Sequence, residues 1–333
     1  MTRILKSRSG TTNGTAGATR AYASLQEAMS ALTAIGTLAD AYTVYCEGSA
    51  ADTLTVNQVH MGFTTSAANY VLITTTAGNR HDGKYNTSKY RIEVTDSHAI
   101  YNNYGSHIRI DGLQVKLTIT TSVGQNFNCY RLSTANNNGA IDHRISNCIA
   151  QMIMAGSDHA FGYINSDPNG QGGTCKLWNC TAYGGYSGYE GDDGSSWADS
   201  NLINYNCTAY GNKYNFGEKQ VCINCLSANP LFGDGFGFFD KGYANDFNNA
   251  ADESSAAGTA PRINQTFTFV NAGASDFHLD QADTGAKGFG LTDPASGLFA
   301  DDIDGKTRGS VWDIGADQVT TSSTPNALFY VKG

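Results

Sequence analysis

The sequence predicts an all-β fold, a single coil of stacked parallel strands, and three observations carry that prediction. First, a short phrase recurs five times. It reads HIRIDGLQV at 107–115, DHRISNCIA at 142–150, CKLWNCTAY at 175–183, LINYNCTAY at 202–210 and VCINCLSAN at 221–229. Second, aligning the copies gives one column of Gly112, Asn147, Asn179, Asn206 and Asn224, followed by a column of Leu113, Cys148, Cys180, Cys207 and Cys225. Gly and Asn enter the left-handed backbone region most readily, where a strand can bend sharply. Leu and Cys are compact apolar residues suited to a narrow core. Third, the bend residues are 35, 32, 27 and 18 residues apart. Unequal gaps suit rungs that carry loops of different lengths, whereas a sandwich asks for evenly spaced strands and hairpin turns. No single copy can bury its own apolar face, so the copies must stack on one another. The architecture expected is a parallel β-helix.

Bulk properties agree. A chain of 333 residues is long for one globular core but ordinary for a solenoid, which grows by adding rungs. It is 15% charged and 40% hydrophobic, with 38 Gly and 5 Pro, a balance that suits strands and bends better than helices. The net charge of -9 argues against a nucleic-acid groove, which needs a clustered basic face. No apolar run is long enough to predict a membrane span. The first twenty residues lack the apolar core of a secretory leader, so the expectation is assembly inside a cell, or a leader replaced by Met1. Of the eight cysteines, Cys222 and Cys225 form one CxxC without a second pair, which is not a zinc pattern. Stacked neighbours stand roughly 4.8 Å apart but with parallel Cβ vectors, so buried, reduced thiols are predicted.

In chain order, residues 1–20 are rich in Gly, Thr and Ser and read as a flexible arm. Residues 21–106 are expected to form an N-terminal cap and the first rungs. Ser24 followed by Glu27 is a capping box, and Leu25, Ala28, Met29, Leu32 and Ile35 share one helical face, which suits a plug over the open end of the coil. Strands are predicted at Tyr42–Cys46, Tyr70–Thr75 and Tyr90–Val94. The loop at 78–90 gathers Arg80, His81, Asp82 and Lys84, and reads first as a solvated loop and second as a ligand-facing one. Residues 107–247 form the central rungs with long loops, 248–319 the last rungs and a C-terminal cap, and 320–333 a docking tail with an apolar patch from Ala327 to Val331.

Two loops in the rungs, at 183–200 and 232–247, combine Gly, acids and aromatics. Exposed rings beside acids grip sugars, the ring face covering C–H surface while polar groups take hydroxyls. Tyr186, Tyr189, Trp197 and Phe236 are the candidate glycan-binding residues. The competing reading has these rings and Phe238 packing the loops onto the coil. Asp302, Asp304, Arg308 and Asp313 near the end read as a charged lock for the last turn.

The phrases NCTAYGG and NCTAYGN, with GDGF at 233–236, resemble rungs of right-handed parallel β-helix proteins of the pectate-lyase superfold, of the kind found in bacteria and tailed phages. The ending DFHL, DIDGKTR, DIGADQ (276–318) is similar to their terminal segments, and SLQEAM leading to TVYCEG (24–48) to their cap and first strand. The resemblance covers most of the chain and implies a fold more than an activity. Calcium-dependent lyases of this superfold hold calcium on converging carboxylates and use Lys or Arg as base. Carried over, that role falls on Glu190, Asp192, Asp193 and Asp199 for calcium and on Lys213 or Lys219 for the base. These acids lie in one Gly-rich loop instead of on successive rungs, so the reading leans away from an enzyme and from any cofactor, calcium entering only with a lyase. The function expected is a structural virion protein of a tailed phage (capsid decoration, fibre or spike), displayed on the virion surface and touching host glycans. Its partners would be other virion proteins and host polysaccharide, with homo-oligomers allowed and no nucleic acid or membrane. The alternatives are a polysaccharide lyase or glycoside hydrolase acting on acidic polysaccharide, and a bacterial adhesin, both extracellular.

Overall fold

A computed structural model describes residues 3–8, 19–53, 59–102, 105–133, 141–166, 173–191, 202–231, 237–238, 245–256 and 258–319. Among them the chain visits three sheets in rotation. The first sheet has nine strands, including Tyr42–Glu47, Val71–Thr75, Ile108–Asp111, Asp142–Ser146, Thr174–Trp178, Leu202–Tyr205 and Gln220–Ile223. The second has eight, from Ala51–Asp52 to Ala250–Ala251, and the third has six, from Val59–His60 to Tyr214–Phe216. Neighbouring strands within each sheet run parallel and follow one another in sequence order over the central rungs. This is a parallel β-helix, right-handed as parallel crossovers almost always are.

The bend column sits where the first sheet turns into the second. Gly112, Asn147, Asn179, Asn206 and Asn224 all have positive φ, between 47° and 71°, and Asn248 at 55° extends the column by one rung. The following column, Leu113, Cys148, Cys180, Cys207 and Cys225, is completely buried in one core cluster. All eight cysteines are free and buried. At the last rung the position passes to Asn249, whose amide bonds the Cys225 N–H and the Cys222 carbonyl. A polar residue there terminates the apolar file with its hydrogen bonds satisfied.

The N-terminal plug is the helix Leu25–Thr33, with Ser24 accepting from the Glu27 N–H and the Glu27 carboxylate accepting from the Ala23 N–H. Leu25, Ala28, Met29 and Leu32 are buried. Ile35 is not: the helix stops before it and it is 51% exposed, because the chain has already left the helical periodicity that put it on the apolar face. Part of the expected arm is also ordered. Arg3–Arg8 pairs parallel with Tyr42–Glu47 on one side and Thr19–Tyr22 on the other. An unpaired edge strand offers a row of free backbone groups, and these two segments occupy it. Residues 1–2, 9–18 and the tail 320–333 lie outside the described residues.

The C-terminal segment turns back along the bend column. Asn248 donates to the Phe289 carbonyl, Asn224 to Leu291, Asn206 to Asp313 and Gly315, and Asn179 to Asp301. Side chains also bond rung to rung, from Asn248 to Asn224 to Asn206, and from Asn179 to Asn147 to Asp111. Arg308 enters the gap between these two runs, donating to Asn179 Oδ1 at 2.9 Å and to the carbonyls of Gly315, Ala316 and Asp301. Phe299 and Trp312 pack against each other, and Phe299 stacks on Trp178 of the first sheet. The last turn is thus locked around Arg308, but not by the acid–Arg pairing expected: Arg308 bonds carbonyls and Asn179, Asp304 pairs with His278 and Lys306, and Asp302 and Asp313 accept from backbone N–H groups.

Candidate functional site

The third sheet carries two aromatic files, one inside and one at its rim. Inside, Tyr130, Tyr163, Tyr189, Phe216 and Phe238 stack face to face on successive rungs, with centroids 4.7–5.0 Å apart and planes within 11°. The tyrosine hydroxyls end on bend carbonyls; Tyr189 donates to Cys180 at 2.6 Å and Tyr163 to Thr181 at 3.3 Å. Tyr189 is completely buried and cannot meet a sugar. That corrects its assignment as a glycan-binding residue. Phe238 likewise packs inward, as the packing reading of these loops requires.

Tyr186 lies instead at the start of the strand Ser187–Glu190, half-buried, where the chain enters the sheet. Backbone bonds from Tyr186 to Ala160 and from Tyr214 to Tyr186 place these positions on adjacent rungs. The Tyr186 ring stacks on His159 at 3.6 Å and meets Tyr214 edge-on at 5.4 Å. Lys213 holds its ammonium 4.6 Å above Tyr186 and 5.3 Å from Tyr214. Toward the N-terminus the rim continues through Phe127, His98 and Tyr101, where the Arg131 guanidinium lies 4.8 Å over Tyr101. Burial, with Arg131 adding to it, holds the His98 imidazole down to about 4; burial and Lys213 lower His159. Both imidazoles are neutral rings at physiological pH. The rim is an uncharged aromatic platform edged by cations.

Of the lyase candidates among the described residues, Glu190 and Lys219 lie at one end of a strand and Lys213 at the other. Glu190 stands at the far end of its strand from Tyr186 and Lys213, and accepts a hydrogen bond from the Glu218 N–H. Lys219 lies at that same far end, in a bend with φ of 52°, its carbonyl close behind Gly191. Lys213 and Glu190 are therefore separated by the strand. Trp197, Phe236, Asp192, Asp193 and Asp199 lie outside the described residues.

A second concave region, of about 880 Å³, lies between the loop at 78–90 and the C-terminal segment. Here His278 Nδ1 is 2.5 Å from Asp276 and Nε2 is 3.1 Å from Asp304, while Lys84 pairs with Asp276 and Lys306 with Asp304. Gly83, at φ of 78°, packs so closely over His278 and Asp304 that a Cβ would collide with both. Burial alone would lower the His278 pKa, but Asp304, Asp317 and Asp276 outweigh it and raise it to about 9. His278 is an imidazolium donating from both nitrogens, neither a base nor an open ligand at neutral pH. Ligand atoms of His278, Asp304 and Asp317 lie within 4.8 Å of one another, so a cation that displaced the proton would find three donors there. Sequence reasoning flagged both walls of this region but missed His278, Asp276 and Asp317. No spacing in the chain relates residue 84 to residue 276.

Comparison with known proteins finds no protein family whose signature matches this chain and no curated sequence that matches it. Among solved structures the chain is similar to the crystal structure of pectate lyase Pel9A, at 13% identity over 96% of each chain, with a TM-score of 0.36.

Proposed function

We propose that this chain is a non-catalytic, carbohydrate-binding β-helix, and in its most specific form a tailed-phage virion protein that touches host surface glycans. The observation supporting binding is the rim of His159, Tyr186 and Tyr214 on successive rungs with Lys213 over two of the rings. Strands repeat at roughly 4.8 Å, so these rings and the Lys213 ammonium form a continuous rim along the coil axis, with Tyr186 between His159 and Lys213. The separation of Glu190 from Lys213 speaks against Lys213 as the base of a lyase at this place, leaving Lys219 as the candidate beside Glu190. The virion placement rests on the sequence reading.

The test is retention on immobilised host-surface polysaccharide. Tyr186→Ala removes the central ring and is expected to weaken retention about tenfold, the loss of ~1–1.5 kcal/mol of stacking. Unchanged retention would remove the rim from consideration. Antibody labelling of purified particles tests the virion placement; absence of label on particles rejects it. The second reading, a lyase of acidic polysaccharide, is favoured by the charged region around His278, where His278, Asp304 and Asp317 could together hold a cation beside Lys84 and Lys306. Unsaturated product from a uronic-acid polymer with calcium present would establish it in place of the first.

A further inference from the structure

The outer face of the first sheet carries a feature that the aromatic rim does not use. Leu72, Arg109, Arg144 and Lys176 stand in register on four successive strands. Three cations therefore follow one another at the strand repeat of roughly 4.8 Å. Arg144 is paired with Asp142 on its own strand, at 2.6 and 2.8 Å. Arg109 lies 3.6 Å over the Tyr70 ring, and its buried Nε has no hydrogen-bond partner. Among the described residues no carboxylate forms an ion pair with Arg109 or Lys176. Like charges at ladder spacing repel, and burial followed by Arg144 depresses the Arg109 pKa. Asp142, paired with Arg144 and acting on Arg109, relieves part of that repulsion, while Lys176 has no ion pair among the described residues.

Beside the file runs a groove of about 180 Å³, walled by Leu72, Arg109, Arg144, Ser146, Trp178 and Leu298, with the Asp111 carboxylate also in its wall, neutralised there by Arg80 at 2.6 Å. It places an indole next to two guanidinium groups, the combination that takes a sugar ring bearing an acid. A nucleic-acid strand would need a broad basic face, and here the cations make a single narrow file.

We infer that this file binds a polyanionic glycan laid along the coil axis, with the acid groups of successive sugars on Arg109, Arg144 and Lys176 and a ring against Trp178. The acid is a carboxylate or a sulfate, since a guanidinium takes either in the same forked geometry. The site is on a different sheet from the aromatic rim and stands or falls separately from it.

The experiment measures binding of the full chain to alginate, which has one carboxylate per sugar, to dextran sulfate, to neutral dextran and to single-stranded poly(dT). The expected result is binding to alginate or dextran sulfate that weakens as salt rises, with dextran not bound. Preference between the two anionic polymers identifies the acid. Lys176→Glu, at a partly exposed position without an ion pair, is expected to lower that affinity about tenfold with thermal stability unchanged. Arg109→Gln is expected to lower it similarly, and Tyr186→Ala to leave it intact. Failure of the wild-type chain to bind either anionic glycan, equal binding by Lys176→Glu, or tighter binding to poly(dT) than to both would each overturn the inference.

Discussion

Asn206 shows how much one side chain does in this coil. Its φ of 47° turns the chain from the first sheet to the second, and its amide donates to the Asp313 and Gly315 carbonyls of the C-terminal segment. Asn206→Ala loses both, and an L-residue without a polar side chain costs roughly 1–2 kcal/mol in the left-handed region. Asn206→Gly loses the bonds but keeps the backbone freedom, so denaturant unfolding should rank wild type above Gly and Gly above Ala, the last step being about 1 kcal/mol. Equal stability of the two variants would mean the bend is not strained there. The turning half of this residue's job was legible from the repeated Asn. The bonding half was not, because its partners lie more than a hundred residues away in a segment without the repeat.

Among elements, the interior stack is the part that sequence reasoning came closest to finding. Tyr189 follows Cys180 by nine residues and Phe216 follows Cys207 by nine, so an inward ring after each inward thiol was there to be seen. Phase within the loops decided the matter. Tyr186 and Tyr189 both read as loop aromatics, yet a strand begins between them and carries one to the rim and the other into the core. Each buried ring removes roughly 150–250 Å² from water. Tyr163→Ala should therefore destabilise the coil by about 3–5 kcal/mol, while Tyr163→Phe, which gives up only the bond to Thr181, should cost about 1 kcal/mol. A small effect of the alanine variant in a chemical melt would contradict the stack. The strand segments themselves were found within a residue or so because each is a short apolar run bounded by a bend.

At the scale of the molecule, the C-terminal segment clasps rungs that lie far apart along the chain, and its ion cluster gives the clasp a pH signature. His278 faces Asp276, Asp304 and Asp317, with Lys84 and Lys306 outside them. Its folded pKa is raised to about 9 from an ordinary 6.5, so the protonated form is favoured by folding. That contribution is complete below pH 6.5 and disappears as the pH climbs through 9. Burial raises Asp302 to about 6, which confines its own titration to more acidic conditions. Unfolding free energy should fall between pH 6.5 and 8 in the wild type and stay nearly level there in His278→Gln, before the buried thiols, which ionise only once unfolded, lower both at higher pH; parallel slopes below pH 8 would show that the cluster does not hold the clasp. Long-range closure of this kind leaves no periodic trace in a sequence. The charged residues could be recognised as a lock, but not what they lock onto.

The most direct test of the architecture is the reactivity of the thiols, followed cysteine by cysteine with a small alkylating reagent and mass spectrometry. All eight are buried, and burial pushes every one of their pKa values up, so no thiolate is within easy reach at neutral pH. A stacked coil predicts that Cys148, Cys180, Cys207 and Cys225 stay unmodified in the native protein and are all labelled once it is unfolded. Rapid native labelling of any of these four would contradict the interior file and the coil built around it.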